Sequence, residues 1–237
     1  MRCIICNTVM HEASVKDVYK CPSCKHVFVD YQDDGLSYHR NEYRTNKHGN
    51  RTTGEVIDGK FTDKFHSVRH HIMKSRCNII KNIVDDCDSM LDIGAGGGSF
   101  VNMVRDRFKH LQIDCQEISN LCVNNLIEYG YENVYHGDIN DIDFNKSYDL
   151  VTCWHVLEHI KDLHAFVDTV DKITNRYLIL EVPIKRRLRY PNDGGWDGHY
   201  HYFSEESMRM LFSDKFKHIN IETPGIQKPS MTVILQK

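Results

Sequence analysis

Three groups of residues in this chain have the types and spacing that chemistry needs. The first is LDIGAGGGSF, Leu91–Phe100, in which Gly94, Gly96 and Gly98 alternate after an apolar run. Glycines this dense let a backbone pass close to a bound molecule. The second is four cysteines in two pairs, Cys3 and Cys6, then Cys21 and Cys24 after fourteen residues. Each C-x2-C pair is a knuckle that aims two thiolates at one point, and two knuckles make a tetrahedral S4 site. Paired disulfides are the alternative, but the doubled pair at this spacing favours zinc. Four thiolates leave no open position, so the metal is expected to be structural. About thirty residues cannot build a core unaided, so the metal would supply folding energy. The third group is KRRLRYPNDGGWDGHYHYFS, residues 185–204. His199 and His201 have the pKa range of a base. They are two apart, so an extended segment would turn both to one side. Arg186 and Arg187 could meet a substrate phosphate. The glycines at 194, 195 and 198 suit a loop that closes over substrate.

The elements that must position these groups alternate along the chain. Apolar residues at helical spacing in HSVRHHIMKSRCNIIKNIV predict a helix over 66–84. Strands are expected at 89–94, 111–117, 133–137, 148–154 and 176–183, with helices at 98–108, 119–129 and 162–173 between them. A helix at 205–214 and two final strands, the last pair antiparallel, complete the pattern. Alternating βα units mean a Rossmann-like, doubly wound parallel sheet. Three parts are therefore expected: a zinc ribbon at 1–30, a linker or lid at 31–65, and a catalytic α/β domain at 66–237. From Arg40 to Lys81 there are ten Lys or Arg against four Asp or Glu, which reads equally as a solvated face or a surface for an anionic substrate.

The glycine spacing decides what the loop cradles. The pattern is G-A-G-G-G followed by Ser99, which departs from the dinucleotide G-x-G-x-x-G, and no G-K-[ST] follows to make a P-loop. Asp92 precedes the loop, Glu117 ends the second strand and Asp138 stands at the end of the third. A carboxylate at the second position accepts hydrogen bonds from both hydroxyls of a ribose, and one at the third can meet an adenine amine. Three acidic strand ends with no phosphate-binding cation fit an adenosine cofactor without phosphate, such as S-adenosylmethionine (SAM).

On these residues the chain resembles the class I SAM-dependent methyltransferases. LDIGAGGGSF matches their first motif, DCQEIS the ribose motif, GDINDI the adenine motif and YDLVTCWHVLEHI the fourth-strand motif, with LEVP and GHYHYFSEESMRMLF extending the match. The resemblance implies a seven-stranded sheet with its last strand antiparallel. It also implies cofactor contacts from Ala95, Ile118, Ile139 and Trp154 as well as Asp92, Gly94, Gly96, Gly98, Glu117 and Asp138. WHVLEHI…EVP…HYHYFS looks like the small-molecule subgroup, several of whose sugar C-methyltransferases carry an N-terminal zinc module. In those a Glu-His pair before FS serves as base; His199 aligns with the His, and Gly198 stands at the Glu position. The resemblance puts His155 in the cofactor or substrate pocket, and His155, His199 and His201 are the catalytic candidates, with Tyr200, Arg186 and Arg187 for substrate. HVLEH is formally H-x-x-E-H, a metalloprotease signature, but His155 directly follows a strand and that chemistry needs both histidines on one helix face.

The 237 residues carry a net charge of −3 and nine cysteines, five of them scattered. Near-neutral charge excludes a global field toward nucleic acid or membrane, and no apolar run approaches a membrane span. A cytoplasmic enzyme with a small, phosphate-bearing substrate, such as a nucleotide-linked sugar, is expected. Two alternatives stand beside it: an RNA base methyltransferase whose ribbon holds RNA, and a non-catalytic SAM-binding module.

Overall fold

A computed structural model describes residues 1–30, 55–57, 60–62, 66–184, 198–223 and 230–237. In the N-terminal segment β1 (His11–Glu12), β2 (Val18–Lys20) and β3 (Val27–Val29) form antiparallel pairs, and a short hairpin β4 (Glu55–Ile57) with β5 (Lys60–Thr62) follows. The α/β part runs α1 (His66–Val84), β6 (Ser89–Ile93), α2 (Ser99–Arg107), β7 (Gln112–Glu117), α3 (Asn120–Glu128), β8 (Val134–His136), β9 (Tyr148–Trp154), a 3-10 turn (Leu157–His159), α4 (Leu163–Ile173) and β10 (Thr174–Pro183). It ends with β11 (His201–Tyr202), α5 (Glu205–Phe212), β12 (His218–Glu222) and β13 (Ser230–Gln236).

The principal sheet has seven strands in the order β12-β13-β10-β9-β6-β7-β8. β6, β7 and β8 pair in parallel, while β13 is antiparallel to both β10 and β12. This is the doubly wound sheet with an antiparallel last strand that the alternation and the resemblance imply. The apolar runs explain the strands: in β9 every residue except Asp149 is buried, as strands covered on both faces require. Helix α4 buries Leu163, Phe166, Val167, Val170 and Ile173 along one stripe, the helical period set by packing on one face. Asp162 caps it, accepting from the backbone N–H groups of His164 and Ala165 at 3.1 and 3.0 Å.

The chain divides into two compact units, one of residues 1–34 with 152–237, the other of residues 35–151. In the first, the N-terminal segment is not closed on itself. β11 adds a fourth strand to it, in the order β1-β2-β3-β11, with His201 opposite Phe28 and Tyr202 opposite Val27. The N–H of Val29 also donates to the carbonyl of Tyr200 at 2.9 Å. Among the described residues no helix is long and apolar enough to cross a membrane.

Candidate functional site

In the unit of residues 35–151 the glycine loop follows the end of β6. Gly94, Gly96 and Gly98 have φ of 68°, 56° and 84°, a left-handed backbone that favours glycine. A side chain at Gly98 would also stand 3.1 Å from Leu126 and 3.2 Å from Tyr129. The loop is held by the end of β7. Gly94 N–H donates to the carbonyl and the side-chain oxygen of Gln116 at 2.9 and 3.1 Å, and Gly96 N–H donates to Glu117 Oε2 at 2.6 Å. The other oxygen of Glu117 accepts from the N–H groups of Ile118 and Ser119 at 2.8 and 2.9 Å. Three backbone donors thus fix this buried carboxylate at the carboxyl end of its strand, where open α/β sheets bind ligands.

Gln116 was not singled out in the sequence, yet it joins the first and third strand ends. Its Nε2 donates to the carbonyl of Gly137 at 2.7 Å, next to Asp138. Asp138 in turn accepts from Asn140 N–H at 2.9 Å, which folds the turn that buries Ile139. Asp92 and Ala95 are buried and Ile118 is half-buried. Asn125 ties the loop to α3 through the carbonyl of Gly97 at 2.9 Å. The expected cofactor residues of this unit, Asp92, Gly94, Ala95, Gly96, Gly98, Glu117, Ile118, Asp138 and Ile139, lie on the glycine loop, on β6 and at the ends of β7 and β8.

In the other unit, Cys3, Cys6, Cys21 and Cys24 form one group with sulfurs within 4.8 Å of one another, and none is in a disulfide. Sulfurs around one tetrahedral zinc stand about 3.8 Å apart, so the donor set and its span fit that ion. Each knuckle closes on a left-handed residue after its second cysteine, Asn7 at φ 59° and Lys25 at φ 60°.

His201 belongs to this ribbon. It is fully buried, its Nδ1 lies 3.0 Å from His26 Nε2, and its ring packs against His26, Phe28 and Phe203. Burial holds His201 down to about 3 and His26 down to about 4. The sequence expectation that His199 and His201 share a face is corrected here. The chain bends at Tyr200 between them, and His201 turns to His26 and Phe28. His199 instead sets its ring at 72° to that of His159, 4.7 Å away. Tyr200 is buried, its N–H donating to the carbonyl of Glu158 at 2.9 Å. Arg186 and Arg187 lie outside the described residues.

His155 follows β9 at φ 58°, an uncommon conformation for a non-glycine residue. Its Nδ1 is 3.2 Å from Glu158 and its Nε2 2.9 Å from Glu181, with Ser230 Oγ at 3.4 Å. Burial would lower its pKa, but the two carboxylates overcome that and raise it to about 9. The ring is therefore a cation clamped between two anions. Glu158 is 1% exposed, and although burial would raise its pKa, His155, His159 and His199 hold it below the ordinary carboxylate range. Trp154 is buried beside this turn in the chain.

Comparison with known proteins agrees with this fold. A family model described as "Methyltransferase domain" matches residues 65–215. The magnesium protoporphyrin IX methyltransferase of Synechocystis PCC 6803, solved with bound SAH, is 17% identical with a TM-score of 0.54, over 72% of this chain and 85% of that one. CalS10 of Micromonospora echinaspora, a SAM-bound amino pentose methyltransferase, is 14% identical with a TM-score of 0.57, over 71% and 91%. The CurJ carbon methyltransferase is 15% identical with a TM-score of 0.57, over 71% and 55%. A search of curated proteins finds no match.

Proposed function

Because the chain belongs to the methyltransferase domain family, a family of SAM-dependent enzymes, we propose that it moves the SAM methyl group to a small, phosphate-bearing acceptor such as a nucleotide-linked sugar. The observation that carries the cofactor half is the Glu117 carboxylate, held by three backbone N–H groups at the end of β7. The acceptor site those three N–H groups leave suits a ribose hydroxyl. Asp138 would take the adenine amine, and the positive-φ glycines let the loop approach the amino-acid part. The sugar half is supported by the HYHYFS motif and by the likeness to CalS10. SAM supplies an electrophilic methyl on sulfur; the chain's part is to align the acceptor and take up its proton.

Among the three catalytic histidines, His199 keeps that assignment. His201 is enclosed in the ribbon, and both ring nitrogens of His155 already face carboxylates. We assign the acceptor side to His199 with His159 and Glu158, and a structural zinc to the four cysteines. His199→Asn should lower turnover by about a hundredfold or more with SAM affinity unchanged. Calorimetry with SAM, and mass analysis of nucleotide sugars incubated with the enzyme and SAM, test the reading. Binding of NAD but not SAM would overturn the cofactor assignment. SAM binding with methylation of tRNA, falling steeply with salt, would overturn the acceptor assignment.

A further inference from the structure

We propose that Glu158, His159 and His199 bind a divalent transition-metal cation, zinc by the chemistry of the set, as a second metal site separate from the four cysteines. One carboxylate oxygen and one nitrogen from each imidazole lie within 4.8 Å of one another. Ligands of these types around one tetrahedral ion stand about 3.3 Å apart, so small side-chain movements close the group. Two imidazoles and a carboxylate suit zinc and its neighbours rather than calcium or magnesium.

The observation that points to a ligand is Glu158 itself. Its side chain is 1% exposed, and one oxygen accepts from His155 while Oε2 has no hydrogen-bond partner among the described residues. A buried carboxylate oxygen without a donor is costly, and a bound cation would satisfy it. The surroundings have the form that metal ligands take. His159 Nδ1 lies 2.6 Å from the carbonyl of Gly198, so Nδ1 carries the proton and Nε2 is the nitrogen that would ligate. Such a bond from a ligating imidazole to a backbone carbonyl fixes tautomer and ring orientation. The N–H of Tyr200 on the carbonyl of Glu158, at 2.9 Å, anchors the segment that carries His199. His155 is no ligand, since its two nitrogens face Glu158 and Glu181; it supports the ligating carboxylate. The H-x-x-E-H string thus supplies two of three ligands, and the third comes from forty residues on.

Three protein ligands leave a coordination position open. On the methyl-transfer reading, an acceptor oxygen would take that position and lose its proton more readily, to water, and His199 would then act as a ligand rather than as the base itself. This consequence rests on that reading, whereas binding of the ion does not.

The test uses the full chain with its cysteine site filled. Zinc is titrated in against a chromophoric chelator, and bound metal is counted. Two zinc ions per chain are expected for the wild type and one for Glu158→Gln and for His199→Ala, the second-site affinity falling by about a hundredfold or more. His155→Gln should weaken it by about ten- to a hundredfold, the effect of losing a supporting residue. His71→Ala, at an exposed histidine, should keep both ions, which separates the site from casual surface binding. One zinc per chain at saturation, or a second ion retained by both Glu158→Gln and His199→Ala, overturns the proposal. Should Glu158→Gln fail to fold by circular dichroism, His199→Ala, at a half-buried position, decides alone. Methyl transfer by a chain that takes only one zinc would refute the metal and keep the enzyme; a second zinc with no SAM binding would do the reverse.

Discussion

The glycine loop and the histidine–carboxylate group are built in opposite ways. Around the loop the partners are mostly main chain: Gly94, Gly96, Ile118 and Ser119 present N–H groups, and Glu117 receives three of them. Around Glu158 the partners are side chains, His155, His159 and His199, drawn from two segments forty residues apart. A site made of backbone is specified by φ, and only glycine gives the required φ freely. A site made of side chains is specified by packing of distant segments, and any residue that fills the space can stand there until its chemistry is needed. The first should fail when a Cβ is added, and the second when a ligand atom is removed.

The largest effect expected is at the other site built of side chains, the four cysteines. With zinc at the cysteines as proposed, Cys21→Ser should abolish its binding and unfold the ribbon, since binding energy at such sites is folding energy, about 10–16 kcal/mol for zinc-finger peptides. Because β11 is the fourth strand of that sheet, backbone hydrogen exchange should accelerate at His201 and Tyr202 as well as at β2 and β3, while the amides of Gly96 and Ile118 stay protected. Metal analysis and exchange mass spectrometry read both. Unchanged protection at β11 would show that its pairing does not depend on the metal.

Gly98→Ala tests the backbone-built region. A left-handed conformation costs a non-glycine residue about 1–2 kcal/mol, and here the added carbon also meets Leu126 and Tyr129 at 3.1 and 3.2 Å. Urea unfolding should lose about 2 kcal/mol with an unchanged slope. A neutral result would mean that the loop's φ is a convenience and that the contrast drawn above is wrong.

The same contrast explains what the sequence disclosed. The glycine loop, the acidic strand ends and the cysteine pairs are local patterns, and the strands and helices they imply match β6–β10 and α1–α4 within two residues. The ribbon's fourth strand was invisible because two residues, His201–Tyr202, pair with Phe28 and Val27 from 173 and 175 positions earlier. Nothing local in HYHY distinguishes a strand edge from a reaction loop. His26, two residues past the last ribbon cysteine, was overlooked for the same reason. The proximity of His199 to Glu158 and His159 had half a signal, the H-x-x-E-H string, and the string alone could not show it because the third partner lies forty residues on. Gln116 did leave a trace, an amide in an otherwise covered strand.

Gln116→Leu sharpens the comparison, because this residue is the side-chain exception within the backbone-built region. It removes the bonds to Gly94 N–H and the Gly137 carbonyl, but Gly94 N–H keeps the Gln116 carbonyl at 2.9 Å. The loss should therefore be about 1 kcal/mol, seen in calorimetry as roughly fivefold weaker SAM binding. A loss as large as that of Gly98→Ala would mean that side chains hold the loop after all.

The smallest effect expected comes from a third kind of construction, exposed charge, and it sets the floor against which the other two are judged. Asp171, on α4, pairs with Lys237 and, at 3.4 Å, with Lys215. Burial would raise its pKa, but the two ammonium groups hold it below the ordinary value of 3.8. A carboxylate with a depressed folded pKa contributes stability that is complete above its unfolded pKa, near 3.9, and is lost as pH falls through the folded value. Both lysines keep about a third of their side-chain surface in water, so screening limits the pair to less than about 1 kcal/mol. Asp171→Asn should thus unfold at slightly lower urea than the wild type from pH 7 to 5, and the gap should close below about pH 4. Loss of the proposed zinc in acid would lower both proteins together and leave their difference intact. A gap that persisted at low pH would trace to the packing of the Asp171 side chain, and this end of α4 would then be held by shape rather than by charge.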